Sequence, residues 1–166
     1  LKVDWFEAIS ENYMNSEGRP IEILLKLRST YPVALHGVSL SVAEAGELNE
    51  KYLKSLKELY EKVDPFICSD HLCWTGTHAH NAHDLLPIPW TMEMVSYLTD
   101  KIDRVQNILK RNLILENVSA YFRYKKSLLD EWDFHKELYQ RSGAKMLLDI
   151  NNVYVNSKNF NFDAAK

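Results

Sequence analysis

"NLILENV", residues 112–118, is the stretch on which the fold turns. Its apolar body has no polar residue between Leu113 and Leu115, so it reads as a strand covered on both faces, as in a parallel sheet, rather than a half-wetted strand with alternating character. It then passes abruptly into Glu116 and Asn117. In parallel α/β folds the carboxyl ends of the strands face the functional site, so this polarity change marks both an architecture and a place for chemistry.

Working outward, the same transition recurs. "VDWFEAI" (3–9) reads as a strand ending in Ser10, Glu11 and Asn12. "VALHGVSL" (33–40) carries His36 before Gly37, "PFICSDHL" (65–72) ends in Ser69, Asp70 and His71, and "KMLLDINNV" (145–153) passes into Asp149, Asn151 and Asn152. Helical patterns separate these runs. Pro20 opens 21–31 at a first-turn position. Asn49 is a candidate cap for 49–63, where Leu53, Leu56, Leu59, Tyr60 and Val63 share a face. Val95, Leu98, Ile102, Val105 and Leu109 step by 3 and 4 along a helix between Thr91 and Lys110, and Gly143 closes a helix over 130–143. The alternation predicts an α/β fold: about five β-α units of a (β/α)8 TIM barrel, in a single partial-barrel domain over 1–166, with a first segment and three later units outside it. Asp163 reads as the N-cap of a further helix.

Composition narrows the function. Of the 166 residues 46% are hydrophobic and 26% charged, as in globular domains. A net charge of -3 argues against a nucleic-acid footprint. No apolar run approaches the roughly 20 residues that span a bilayer. Cys68 and Cys73, the only cysteines, read as reduced thiols in a cytoplasmic compartment.

Carboxylate, imidazole and amide groups converging without thiolate suit a catalytic Fe(II), Mn or Zn site. Each has a plainer reading. His36 before a glycine is also what a hydrogen-bonded core histidine looks like, Glu116–Asn117 and Asp149–Asn152 also suit caps and turns, and His135, amid Asp133, Lys136 and Glu137, reads as a solvated helix face. His78, His80 and His83 form either a polar loop or part of a metal site. What favours a site is that one chemistry recurs at one end of five strands.

"VDWFEAISENYM" (3–14), "LHGVSLS" (35–41), "SDHLCWTG" (69–76), "HDLLPIPWT" (83–91), "LILENVSAY" (113–121) and "LLDINNVYVN" (147–156) resemble, in order and spacing, the multinuclear non-haem iron-dependent oxidative enzymes, the family of the methanobactin-biosynthesis enzyme. The resemblance implies a xylose-isomerase-like barrel with two or three irons at its mouth, using O2 to modify cysteines of ribosomally made precursor peptides presented by a partner protein. Carried over by motif, the candidate metal residues are His36, Asp70, His71, Glu116, Asn117, Asp149 and Asn152. Glu11 and Asn12, with His78, His80 and His83, are expected to support the site or line a substrate loop. Zinc or manganese are the alternative metals. The alternative functions are a metal-dependent sugar isomerase or an endonuclease IV-like phosphodiesterase on the same barrel, and a non-catalytic metal- or peptide-binding module.

Overall fold

The computed structural model describes residues 2–77 and 80–165. Five strands, β1 (Phe6–Ile9), β2 (Val33–His36), β3 (Ile67–His71), β6 (Ile114–Glu116) and β7 (Lys145–Leu147), form one sheet in the order β1-β2-β3-β6-β7, with every adjacent pair parallel. Helices α1 (Arg19–Arg28), α2 (Glu50–Val63), α3 (Met92–Leu109) and α4 (Glu131–Ser142) connect them. The order never reverses. Each strand joins the outer edge of the one before it, which is the winding of a barrel wall and not of an open sheet with a central switch point.

The helices form where local chemistry predicts. The Asn49 side chain accepts from Tyr52 N (3.1 Å), Thr91 from Met94 N (3.2 Å) and Asp130 from Asp133 N (2.8 Å), each relieving an orphan N–H of a first turn. Gly143 ends α4 at φ 68°, a left-handed position that suits glycine. The apolar faces read from the sequence are buried: Leu53, Leu56 and Leu59 on α2, and Val95, Leu98, Ile102 and Val105 on α3. Against them pack Val33 and Leu35 of β2 and Leu115 of β6, all without solvent exposure.

Three expectations change. First, His80 and His83 do not stand in a loop: they lie on β5 (His80–Leu86), which pairs antiparallel with β4 (Trp74–Thr77) between β3 and α3. Second, the strand expected over 145–153 stops at Leu147. Asp149 accepts from Asn152 N (2.8 Å) and caps α5 (Ile150–Phe160), because an Asx side chain that can satisfy a first-turn N–H diverts the chain into a helix. Beyond the C-cap Asn161 at φ 55°, the Asp163 side chain accepts from Ala165 N (3.0 Å). Third, His135 is not on a solvated face. It is 6% exposed and stacks on Tyr139 (ring centroids 5.5 Å, 18°), since its helical phase is that of the buried Phe134 and Leu138.

Cys68 and Cys73 are free and buried. Among the described residues no helix is long and apolar enough to cross a membrane.

Burial holds the His135 imidazole neutral and lowers its pKa from 6.5 to about 4. The unfolded chain then binds the extra proton between those values. The stability contributed is complete above pH 6.5 and is lost as pH falls toward 4. Chemical denaturation should show the wild type losing stability across this window faster than His135→Asn, by up to about 1.4 kcal/mol per pH unit.

Candidate metal centre

Register places the donors. Adjacent partners on parallel strands point to the same side, and residues two apart on one strand share a face. His36 pairs with Ser69, and His71 pairs with Glu116. His36, Ser69, His71 and Glu116 therefore all project from one face of the sheet, at its carboxyl end. The stagger of two residues between Ser69 and His71 lets donors from three strands meet.

They do meet. His36 Nε2 lies 3.4 Å and His71 Nε2 lies 3.7 Å from Glu116 Oε2, and the imidazole centroids are 4.6 Å apart. One ligand atom from each of the three residues falls within 4.8 Å of the others. The far side of each ring is held. His71 Nδ1 is 3.2 Å from the Gly37 carbonyl, which can only accept, so the proton sits on Nδ1 and the lone pair of Nε2 faces the cluster. His36 Nδ1 is 2.8 Å from Ser69 Oγ, a hydroxyl that suits either tautomer.

The electrostatics match this donor set. Burial lowers the proton affinity of both imidazoles. Burial, and after it the charge of Asp149, raises the Glu116 carboxyl to about 7. Two neutral imidazoles and crowded carboxylates in a partly desolvated mouth form a site that a divalent cation would relieve. The residues present thus fit a metal with nitrogen and oxygen ligands.

The other predicted residues divide by face. Asp149 stands beside Glu116 at the head of α5. Asn152, one helical turn on, points Nδ2 at Glu116 Oε1 (3.4 Å) and donates to Asn117 O (2.9 Å). Asn117 follows Glu116 and turns away from the cluster: its amide accepts from Asp149 N (2.8 Å) and donates to Asp149 O (3.1 Å). It is a clamp that sets α5 against β6. Asp70 precedes His71 and likewise points to the opposite, helix-facing side. It is 2% exposed, accepting from His71 N (2.7 Å) and Leu40 N (3.2 Å), with the Tyr52 hydroxyl 3.5 Å away. Burial raises its carboxyl to about 8.

Glu11, in the 3-10 turn after β1 (Ser10–Asn12), accepts from Val38 N (2.8 Å) and the Tyr52 hydroxyl (2.7 Å). Its second oxygen is buried without a hydrogen-bond partner among the described residues. Asn12 is exposed. His80 and His83 are exposed on β5, outside the three-residue cluster, though His83 lines a cavity of about 250 Å³ with Val38 and Ser39 of the loop after His36. His78 lies outside the described residues. Reading the sequence missed Tyr52, which bridges two carboxylates, and Ser69, which orients His36. The i−2 spacing from His71 was the available signal for Ser69.

Such a mouth on such a winding defines an α/β-barrel protein of the xylose-isomerase-like type. Solved structures bear out the fold: a D-psicose 3-epimerase from Clostridium cellulolyticum H10 superposes over 92% of this chain and 55% of its own length (TM-score 0.57, 11% identity). A D-allulose 3-epimerase from Methylomonas sp. does so over 92% and 54% (TM-score 0.56, 13% identity). Sequence is more specific. Residues 1–166 match the model of the RiPP precursor modification enzymes MbnB/TglH/ChrH, RiPP denoting ribosomally made, post-translationally modified peptides, and the chain belongs to that family. UPF0276 proteins of Anaeromyxobacter sp. and Caulobacter vibrioides are each 47% identical to it over 161 residues, 97% of this chain but only 57% and 58% of those relatives. The chain thus spans less than three fifths of the curated relatives it matches.

A side chain at Gly37 would collide with Asp70 Oδ2, which accepts from Leu40 N while Oδ1 accepts from His71 N, so the carboxylate is pinned by two backbone donors. Gly37→Ala is expected to destabilise the protein by about 1–3 kcal/mol, read as a lower urea midpoint at unchanged slope.

Proposed function

We propose that the intact protein, of which this chain supplies five β-α units, is a metal-dependent oxidative enzyme. It uses O2 to modify cysteines of a ribosomally made precursor peptide, brought to it by a partner protein. The reading is supported by family membership and carried by one observation: two oriented imidazoles and a carboxylate from three successive strands of the sheet share one small volume. We take the resident metal to be iron, two or three ions, completed by donors from the rest of the barrel.

His36, His71 and Glu116 would hold one ion, with the Glu116 carboxylate placed to bridge toward Asp149 and Asn152. Bound iron would supply the electrons for O2 chemistry and lower the pKa of a coordinating cysteine thiol. The chain's own residues do the positioning. Gly37 and Ser69 fix the imidazole planes. Asn117 fixes Asp149 through both of its backbone polar groups, and the Glu11–Tyr52–Asp70 assembly holds the loop Gly37–Leu40 over the mouth. Burial raises the Glu116 carboxyl to about 7, so loading with metal should displace its proton and strengthen as pH rises through about 7.

Two measurements test this. Anaerobic iron titration of the intact protein should show His71→Ala and Glu116→Ala each weakening binding by about tenfold or more, at least the loss typical of groups that only orient a ligand. The iron-loaded protein with O2, reductant, partner and the cysteine-bearing peptide of its gene neighbourhood should change the peptide's mass. Unchanged mass under those conditions, with iron bound, removes the oxidative assignment.

A further inference from the structure

Away from the donor cluster, the connection between β6 and α4 borders an open cavity of about 530 Å³ lined by Trp90, Arg123, Tyr124, Leu128, Trp132 and Phe162, among others. Its walls are fixed by hydrogen bonds. Leu128 N and Leu129 N both donate to Trp90 O (3.0 and 3.1 Å), and Trp90 N donates to Ser127 Oγ (3.0 Å). From below, Ala120 N donates to Asn156 Oδ1 (2.7 Å), and Asn159 Nδ2 donates to Ala120 O (2.8 Å). This size and pre-formed character are those of a ligand site.

Arg123 is the distinctive group in it. Its guanidinium carbon lies 4.1 Å from the Phe160 ring centroid, 5.2 Å from that of Trp90 and 5.7 Å from that of Phe162. Three aromatic rings surround the cation at cation–π distance. Arg123 is exposed, and among the described residues it makes no hydrogen bond or ion pair. Neither acid in the wall is hydrogen-bonded or ion-paired to it among the described residues. Asp130 is occupied capping α4. Glu131 is recessed, and its burial favours the neutral acid against the pull of Arg123. Of the lining residues, Leu128 is 87% exposed and Trp132 42%. A presented guanidinium inside an apolar rim matches a carboxylate carried next to apolar side chains.

The cavity lies on the side of the strand end that faces away from the candidate donors. It shares Trp90 and Glu131 with a small void that is lined in turn by Asn117, the residue after Glu116. We infer that this cavity is a docking subsite for the substrate peptide, in which Arg123 pairs with an acidic residue flanked by apolar ones while the rim covers its neighbours. The inference rests on the peptide-modifying reading above. It assigns to the subsite the binding energy that holds a flexible peptide while a distant cysteine reaches the mouth.

The test is a binding measurement with chelator present, so that neither metal nor turnover enters it. Fluorescein-labelled, C-terminally amidated peptides of the sequence Ala-Leu-Xaa-Leu-Ala-Gly, with Xaa Glu, Gln or Lys, are titrated with the intact protein and followed by polarisation. The Glu peptide should bind about tenfold more tightly than the Gln peptide, in line with a charge-assisted pair. Arg123→Gln should erase that difference, Arg123→Glu should shift preference to the Lys peptide, and Trp132→Ala on the exposed rim should weaken all three alike. Thermal melts confirm that each variant is folded, and Trp132→Ala remains informative if either arginine variant is not. Equal affinity for Glu and Gln peptides overturns the proposal, as does an Arg123→Gln protein that keeps the preference. Competition by N-acetylglutamate as strong as by the peptide would reveal a small-anion site instead. A protein that binds the Glu peptide selectively but never changes a peptide's mass would lose the oxidative reading and keep the subsite.

Discussion

The carboxyl of Asp70 is the tie on which the mouth of the barrel depends. A buried acid without donors is costly, so the chain brings donors to it: the backbone of His71, the backbone of Leu40 and, more distantly, the hydroxyl of Tyr52. Those contacts fold the segment after β2 back over the strand end. This puts the Gly37 carbonyl within 3.2 Å of the His71 ring. One strand thus serves two tasks on its two faces. Asp70 organises the loop from the helix side, and His71 uses the result on the barrel side. The close approach at Gly37 leaves no room for a β-carbon, which links a backbone requirement in β2 directly to the orientation of an imidazole in β3.

Much of this was legible in the residues. Helix starts at Asn49, Thr91 and Asp130 and the stop at Gly143 follow from local capping chemistry that tertiary context did not override. The donor cluster followed from polar strand ends. What stayed hidden had definite causes. Asp70–His71 and Glu116–Asn117 were each grouped as if both members faced one pocket, yet neighbours on a strand must diverge, and the structure sends Asp70 and Asn117 to the other side. "DINN" followed an apolar "MLL" and so read as more strand, because the ability of Asp149 to cap competes with strand continuation only once α5 has something to pack on. His135 was judged by its charged neighbours instead of its phase with Phe134 and Leu138. The hairpin from Trp74 to Leu86 lacks the apolar alternation that marks strands.

The two halves of the centre differ in how they are held. His36 and His71 stand on strands, with their rings braced by Ser69 and the Gly37 carbonyl. Asp149 and Asn152 stand on the first turn of a helix, held to β6 through the two-way clamp of Asn117 and the reach of Asn152 back to Asn117 O. The strand-borne pair is positioned by the sheet itself. The helix-borne pair depends on one amide, so its geometry can be adjusted without disturbing the core.

The stagger that aligns His36, His71 and Glu116 also bears on how such proteins can diverge. Inserting or deleting one residue within β3 would exchange the sides of Asp70 and His71, and a change of two would move a donor along the wall by a full pleat. Gain or loss of chain is therefore excluded from the strands and channelled into the connections, such as the hairpin between β3 and α3 or the long passage from β6 to α4. Variation in length among descendants of this scaffold should gather around the rim, where it reshapes what the mouth admits, while the spacing of the three donors stays invariant.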